Sequence, residues 1–316
     1  MARHLVLGAG GIGRATASAL AAAGDEVVLV SRSGRDPQLP GVVAQALDVT
    51  DGRALAALAA GARTLVNALN PAEYTHWDRD WPPMATAVLD AAGASGARLV
   101  TVSNLYGYGR VGAPMTEENP LSPNGIKGRV RADMWTRALD LHRAGQVQVA
   151  EVRGSDYIGP HTLGSGLVSS MLVPRILAGK TAWMPMGRTD APHSWTVDID
   201  VATLVAAIVA SDDADVWGRP WHVPTAAPAT LAEVGALVAD LAGMPRARVR
   251  ALPRAVVTIG GAVVPLLGAL RETRHQFEGP FVIDSAAAQS RFALTPTPLR
   301  DALALTIAAV RDRGQD

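Results

Sequence analysis

The stretch HLVLGAGGIGRA, residues 4–15, decides the fold. It begins as a short apolar run of strand length and continues as a glycine-rich turn with the spacing G-x-G-x-x-G. Glycines at this spacing permit a tight strand-to-helix turn and let a pyrophosphate approach the N–H groups at the start of the helix. We therefore predict a dinucleotide site at this turn. Its predicted phosphate-binding residues are Gly8, Gly10, Gly11, Ile12 and Gly13.

The alternation of strand-length and helix-length segments along the chain predicts a whole parallel sheet around this first strand. Apolar runs of strand length alternate with helix-length segments up to about residue 154, after which proline, glycine and amphipathic helices dominate. Near-continuous apolar strands separated by helices indicate a parallel sheet covered on both faces. The predicted fold class is α/β, a Rossmann-type doubly wound parallel sheet with a smaller, mostly helical C-terminal substrate domain. We assign residues 1–154 and about 195–225 to the first domain, and about 155–194 and 226–316 to the second.

Composition and charge exclude several classes of function. The formal net charge is +0 and no nucleic-acid motif is evident, so we expect no nucleic-acid partner. Without cysteine, thiolate catalysis and disulfides are excluded, and no His-x-x-x-His spacing predicts a metal site. The longest apolar run, residues 255–270, is too short to span a bilayer, and residues 1–10 carry no signal segment. We therefore expect a cytoplasmic protein that acts on a small molecule.

The end of the second predicted strand bears on the choice of cofactor. It reads LVSRSG, residues 29–34, where an NAD-binding chain usually carries an acid for the ribose 2′-hydroxyl. An arginine fork can instead bind a 2′-phosphate bidentately, so NADP(H) is favoured over NAD(H). Arg14 would add a second cation, Asp48 would reach the adenine edge, and Asn67 or Asn70 would line the path to the nicotinamide. The predicted ribose-end residues are Arg14, Ser31, Arg32, Ser33 and Asp48.

Three further segments resemble the extended short-chain dehydrogenase/reductases, the family of epimerases, dehydratases and related reductases. They are VSNLYGYG (102–109), EVRGSDYIGP (151–160) and SWTVDIDVATLV (194–205). The resemblance covers essentially the whole chain, and the glycine motif is the shorter, atypical form of the family's fingerprint. It implies an NAD(P)-dependent enzyme. It also implies a possible homodimer formed through helices that flank the sheet, here including residues 125–145.

The sequence departs from this family where the family's proton donor stands. Aligning Tyr-x-x-x-Lys onto KGRVR, residues 127–131, puts Lys127 in the tyrosine's place and Arg131 in the lysine's place. Asn104 falls where the family has its catalytic Ser or Thr. His193 stands where sugar-nucleotide enzymes often carry an arginine for the diphosphate. The resemblance therefore implies an atypical branch, in which Arg131 takes over the cofactor ribose.

Two residues compete for the role of proton donor. Lys127 is one of two lysines in the chain, and Arg131 beside it would favour the neutral amine that can shuttle protons. Alternatively, Lys127 binds cofactor phosphate or ribose, or lies on an exposed turn. Tyr106 can donate a proton while Asn104 stabilises the oxyanion. Substrate contacts are predicted at Tyr74, Tyr108, Tyr157, His161 and His193.

Three functions follow from these residues. The first is an NADP(H)-dependent oxidoreductase that acts on a small, partly apolar carbonyl, enone or alcohol. The second is a catalytically silent NADP(H)-binding redox sensor or regulator, which the loss of the Ser-Tyr-Lys set would explain. The third is a sugar-nucleotide epimerase or dehydratase. The sequence favours the first, because the replacement residues are polar and the Tyr-Lys pair is absent.

Overall fold

The computed structural model describes residues 1–112, 114–185, 187–263 and 268–313. Within this part of the chain, seven parallel strands form the central sheet. They are β1 (Arg3–Leu7), β2 (Glu26–Ser31), β3 (Val42–Ala46), β4 (Thr64–Asn67), β5 (Arg98–Asn104), β6 (Val149–Gly154) and β10 (Arg219–His222). Their order across the sheet is β10-β6-β5-β4-β1-β2-β3. The predicted Rossmann-type parallel sheet is confirmed.

Four short strands form two small parallel pairs outside the central sheet. They are β7 (Asp156–Ile158), β8 (Ala182–Met184), β9 (Trp195–Val197) and β11 (Val249–Ala251). Strand β7 pairs with β9, and β8 pairs with β11. Because β7 follows β6 after one residue, the chain turns from the sheet edge directly into this second region.

The helices cover the sheet and build the second region. They are α1 (Gly11–Ala22), α2 (Gly52–Ala59), α3 (Trp77–Ser95), α4 (Ile126–Arg143), α5 (Val173–Leu177), α6 (Asp198–Ala210), α7 (Leu231–Ala242), α8 (Arg254–Val263), α9 (Ala286–Phe292) and α10 (Leu299–Arg313). Of the apolar run at 255–270, residues 264–267 lie outside the described residues. No helix in the described ranges is long and apolar enough to cross a membrane.

Alternating side chains give the sheet two apolar faces. Val66 and Val100 pack on the face that α1 and α6 cover, whereas Leu65 and Leu99 belong to the core under α2, α3 and α4. Burying one such side chain contributes about 1.5–3 kcal/mol. A third core joins β7, β9, α7 and α10. The carboxyl ends of β1, β4, β5 and β6 thus form one edge, which faces this second region.

Candidate functional site

The glycine turn between β1 and α1 is tightly packed at Gly8 and Gly13 and open at Gly10. Gly8 has φ +105°, in the left-handed region, and a Cβ on Gly13 would lie 1.8 Å from the Gly8 carbonyl oxygen. At Gly10 a Cβ would meet no atom of the described residues within 4 Å, so that side of the turn is open. No side chain in the described part of the chain caps the first N–H groups of α1. An open turn beside uncapped N–H groups fits the pyrophosphate of a dinucleotide.

The loop after β2 carries the predicted ribose-end residues. Arg32 and Ser33 are exposed, and Ser31 Oγ accepts the Gly34 N–H at 3.1 Å. Arg14 Nη2 donates to the Pro37 carbonyl at 2.8 Å, which brings its guanidinium to the same loop. Two arginines therefore lie at the end of β2, an arrangement that suits a ribose phosphate.

Asp48 and Asn67, also predicted to contact the cofactor, both support backbone turns. The Asp48 carboxylate accepts from the Thr50 N–H and hydroxyl at 3.0 and 2.7 Å, and these bonds hold its pKa below its usual value, with a smaller contribution from the Arg32 charge. The Asn67 side chain is buried, and its oxygen accepts the Leu69 N–H at 3.2 Å. Their contacts with a cofactor stay predictions.

Two tyrosine hydroxyls meet near the carboxyl ends of β4 and β5. The Tyr74 and Tyr106 hydroxyl oxygens are 3.1 Å apart, and Trp77 packs against both rings with centroid distances of 5.6 and 5.9 Å. Burial raises the pKa of Tyr74 to about 12 and the pKa of Tyr106 well above its usual value. Both hydroxyls are therefore protonated at neutral pH, and because one of them donates to the other, one proton of the pair is left to donate elsewhere. Because the Asn104 side-chain oxygen accepts the Tyr106 N–H at 3.1 Å, its NH₂ group is the part that can serve a ligand.

Lys127 has a different neighbour from the one that the sequence analysis predicted. Its ammonium donates to Glu272 Oε1 at 2.5 Å and to the Ala269 carbonyl at 3.2 Å, and it lies 4.4 Å from the Tyr74 ring centroid. The direct partner of the ammonium is therefore a carboxylate, Glu272, and not the Arg131 cation that the sequence suggested. The suggestion of an exposed turn is also wrong, since Lys127 is buried. Glu272 was missed because it lies 145 residues away in the sequence.

Arg131 lies against two tryptophans. Its guanidinium is 4.3 Å from the Trp81 ring centroid and 5.0 Å from that of Trp77. The side chain is buried, which lowers its pKa, and its Nε and Nη1 groups have no hydrogen-bond partner among the described residues. Unused buried donors are costly unless a ligand satisfies them. This observation fits the predicted contact of Arg131 with a cofactor ribose.

His193 is buried beneath Asp156. Its Nε2 atom lies 2.8 Å from Asp156 Oδ2, and its Nδ1 atom lies 3.2 Å from the Gln276 carbonyl oxygen. The ring stacks on Phe277 at 4.3 Å between centroids and is 1% exposed. The prediction that His193 contacts substrate is wrong, because no face of the ring is open. Asp156, which the sequence analysis did not select, is the half-buried member of the pair.

Tyr108 is also inside the protein. Its hydroxyl lies 2.8 Å from His222 Nε2 and accepts from Arg153 Nη1 at 2.8 Å, while Arg153 Nε donates to Glu151 at 2.6 Å. The side chain is 1% exposed. The predicted substrate contact at Tyr108 is therefore wrong, since this buried network occupies its only polar atom.

The other two predicted substrate contacts lie in different places. Tyr157 is half-buried and its hydroxyl donates to the Ser103 carbonyl at 2.5 Å, so the hydroxyl proton is used within the protein, and a contact of Tyr157 with substrate stays a prediction. His161 lies against the glycine turn, because a Cβ on Gly11 would be 1.7 Å from the His161 carbonyl oxygen. The structure thus places His161 at the predicted dinucleotide site, and its contact with substrate stays a prediction. In the described ranges, no cluster of three His, Asp or Glu side chains could hold a metal ion.

Comparisons with known proteins agree with this fold. A model of the NAD dependent epimerase/dehydratase family matches residues 4–223. The chain is similar to the dTDP-glucose 4,6-dehydratase DesIV of Streptomyces venezuelae, with 21% identity, coverage of 99% and 98% of the two chains, and a TM-score of 0.78. It is also similar to the UDP-glucose 4-epimerase of Thermotoga maritima, with 15% identity, coverage of 98% and 99%, and a TM-score of 0.80.

A third similar structure is the dTDP-glucose 4,6-dehydratase of Bacillus anthracis in complex with NAD, with 17% identity, coverage of 100% and 98%, and a TM-score of 0.80. At these identities the likeness shows the fold alone. A search of curated proteins gave no match. The family match alone agrees better with the epimerase or dehydratase alternative than with the small-carbonyl oxidoreductase that the sequence favoured.

Proposed function

This chain belongs to the NAD dependent epimerase/dehydratase family, and we propose that it is an enzyme that binds NADP(H) and transfers hydride to or from a substrate carbon that carries oxygen. The observation that carries the proposal is the pair of protonated tyrosine hydroxyls, 3.1 Å apart, near the carboxyl ends of β4 and β5. That edge is where an open α/β sheet binds its ligand. The substrate proposed first is a small carbonyl, enone or alcohol.

The residues that would hold NADP(H) fit its chemistry. The open glycine turn suits the pyrophosphate, and Arg14 and Arg32 suit a 2′-phosphate. The unused donors of Arg131 suit a ribose oxygen. When bound, NADP(H) supplies or accepts the hydride.

Tyr106 is the proton donor in this proposal. As a substrate carbonyl is reduced, the Tyr106 hydroxyl protonates the oxygen, and the NH₂ group of Asn104 stabilises the negative charge that develops there. Tyr74 hydrogen-bonds to Tyr106 and can pass a proton on. The Lys127 ammonium lies 4.4 Å from the centroid of the Tyr74 ring, a distance at which the cation is attracted to the ring and holds it in place. Its ion pair with Glu272 makes it a supporting residue rather than the donor.

The second candidate is sugar-nucleotide epimerisation or dehydration, and the family match favours it. Such a reaction would consume no cofactor overall, so no net change in nicotinamide absorbance would accumulate. The same tyrosine pair would move the proton. The two candidates differ in whether NADP(H) is consumed and in whether the substrate carries a diphosphate.

The test begins with NADPH binding and then follows nicotinamide absorbance with a panel of aldehydes, ketones and enones. Tyr106→Phe should lower turnover about 10²–10⁴-fold. Tyr157→Phe is the matched control and should keep turnover within a few-fold, because its hydroxyl is bound to the Ser103 carbonyl. Lys127→Ala is run alongside. Full turnover in Tyr106→Phe would refute the assignment of the donor.

Two other results would change the function itself. Conversion of UDP-glucose or dTDP-glucose by protein loaded with NADP⁺ or NAD⁺, detected by mass and NMR without net formation of reduced cofactor, would establish the second candidate. Tight NADPH binding with no reaction on either panel would favour a silent sensor. Failure to bind NADPH and NADH would refute the proposal.

A further inference from the structure

The small sheet of β8 and β11, which we call the ribbon, joins two stretches of sequence that lack acidic residues. Residues 157–189 and residues 241–271 contain no Asp or Glu. The parallel pairing of β8 with β11 brings the two stretches together and places Trp183 opposite Arg250. Because the formal net charge of the whole chain is +0, this pairing creates a local excess of positive charge.

The cations on the ribbon and within a few residues of its strands share two properties. They are exposed, and they form no ion pair with another described residue. They are Lys180, Arg246, Arg248 and Arg250. The chain around Lys180 is held beside Arg248, because the Ala182 N–H donates to the Arg248 carbonyl at 2.9 Å. The four cations therefore belong to one surface.

The acids beside the ribbon are each engaged by another residue of the protein. They lie on α7, which packs against β11, and in the segments next to the end of β8. Glu233 caps α7, and the ion pairs are Asp240 with Arg300 at 3.0 Å, Asp190 with Arg188 at 2.8 Å, and Glu278 with Arg274 at 3.4 Å. None of these acids is therefore left to neutralise the four cations.

Trp183 and Arg250 lie on the outer face of the ribbon. The residues on either side of Trp183 are buried, whereas its own side chain is 46% exposed. Val249 points inward, because a Cβ on Gly235 of α7 would lie 2.4 Å from Val249 Cγ2. The Arg250 guanidinium lies 5.8 Å from the centroid of the Trp183 ring. The outer face therefore presents an indole beside a cation.

Helix α8 continues this surface with apolar side chains. The Leu252 N–H donates to the Met184 carbonyl at 2.8 Å at the end of the ribbon, and α8 begins two residues later. Val257 is buried, whereas Val256 and Ile259 are 49% and 71% exposed and, three residues apart, share a face of the helix. The Cα atom of Val256 lies within about 14 Å of that of Leu252. Unpaired cations, an exposed indole and an apolar helix face thus occur together.

We propose that the ribbon and α8 form a docking surface for a membrane that contains anionic lipids. Apolar side chains of such a helix enter the boundary between headgroups and acyl chains, tryptophan favours the same depth, and arginines attract anionic headgroups. A nucleic acid would attract the cations but would gain little from Val256 and Ile259, so the apolar face favours a membrane. The inference goes beyond the proposed function and does not depend on it.

The experiment measures how much of the full chain sediments with lipid vesicles at low ionic strength. Vesicles of phosphatidylcholine with about one third phosphatidylserine should carry the protein into the pellet, and vesicles of phosphatidylcholine alone should not. Raising the salt concentration should weaken binding, because salt screens the attraction. Arg248→Gln/Arg250→Gln should weaken binding about 20-fold, and Ile259→Ser about tenfold.

Matched controls remove similar groups from other surfaces. Arg53→Gln/Arg129→Gln removes two exposed charges from α2 and α4, and Val43→Ser removes an exposed apolar side chain from β3. Both controls should bind vesicles as wild type does. The Tm of each variant is measured as well, and we expect little change, because all the substituted side chains are exposed.

Trp183 provides a second readout that needs no variant. All seven tryptophans lie in the described ranges, and those other than Trp183 are buried. Acrylamide should therefore quench Trp183 selectively, and anionic vesicles should protect it from quenching while neutral vesicles should not.

Absence of sedimentation with anionic vesicles, equal binding by Arg248→Gln/Arg250→Gln and wild type, or unchanged quenching would each overturn the inference. Binding of polyuridine RNA without binding of vesicles would overturn it and assign the surface to a nucleic acid. A dimer that Ile259→Ser dissociates, with no vesicle binding, would overturn it and assign the surface to a second copy of the chain.

Discussion

Replacing Glu272 with alanine should destabilise the protein, because among the described residues it leaves the buried Lys127 ammonium only the Ala269 carbonyl and the Tyr74 ring as partners. Removing one partner of a buried pair costs about 3–5 kcal/mol. Glu272 is partly exposed, which lowers the cost, but its carboxylate also lies 3.4 Å from the Lys127 N–H at the start of α4. Losing that contact adds about 0.5 kcal/mol. We therefore expect a loss of about 3 kcal/mol, equivalent to a fall in Tm of about 5–10 °C.

The assay is thermal unfolding at neutral pH, followed by calorimetry or tryptophan fluorescence. Lys127→Met should cost less than Glu272→Ala, since the remaining carboxylate can reach water. The double variant Lys127→Met/Glu272→Leu should recover most of the loss, because it leaves neither charge buried. Asp190→Ala, which breaks an exposed pair with Arg188, is the control and should change Tm little. A Glu272→Ala variant that melts with wild type would refute the reasoning.

Three further predictions concern the cofactor site and the fold. Arg32→Glu should weaken NADPH binding about tenfold or more and spare NADH, and equal loss of both in a fluorescence titration would contradict the cofactor assignment. Gly11→Ala should lower Tm and NADPH affinity, because its Cβ would lie 1.7 Å from the His161 carbonyl oxygen, whereas Gly10→Ala should leave Tm unchanged. If Gly11→Ala matched Gly10→Ala in both measurements, the packing argument would be wrong. Burial raises the pKa of Asp198 from 3.8 to about 7 in the folded protein. The native state then holds a proton that the unfolded chain releases, so stability falls as pH rises from about 4 to 7, by at most about 4 kcal/mol, and stays level above. Asp198→Asn should lack this component, and equal slopes of Tm against pH in the two proteins would contradict it.

The parts of this structure that local sequence determines were predictable. Strand periodicity and the glycine turn are encoded within a few residues, so the parallel sheet followed from residues 4–15 and the apolar runs after them. Helix α4 was expected near 125–145 and spans Ile126–Arg143. Tyr74 was predicted as a substrate contact and Tyr106 as a proton donor, but the hydrogen bond between them was not predicted.

The predictions for Lys127, His193 and Tyr108 failed for one physical reason, which is that the surroundings of each side chain are formed by residues distant in the sequence. Lys127 was assigned a cationic neighbour because Arg131 is one helical turn away, yet its partner comes from a segment 145 residues later. His193 was predicted to contact substrate because the family resemblance places it where sugar-nucleotide enzymes carry an arginine, and Tyr108 because it lies in a loop that follows a predicted strand. Aromatic stacking on Phe277 buries the first, and an internal hydrogen-bond network buries the second. No spacing rule in a single sequence carries that information.

The late position of strand β10 in the sequence affects how the sheet is completed during synthesis. Strand β10, residues 219–222, covers the edge of β6 and pairs with it in parallel, Arg219 opposite Ala150. The chain between the two strands, residues 155–218, lies outside the central sheet. During synthesis the sheet therefore emerges with β6 unprotected, carrying a charged pair, Glu151 and Arg153, that is buried in the finished protein. An uncovered strand edge invites pairing with another chain. A nascent chain that ends before β10 therefore exposes the unpaired edge of β6. A fragment truncated after residue 154 should aggregate instead of folding as an independent domain.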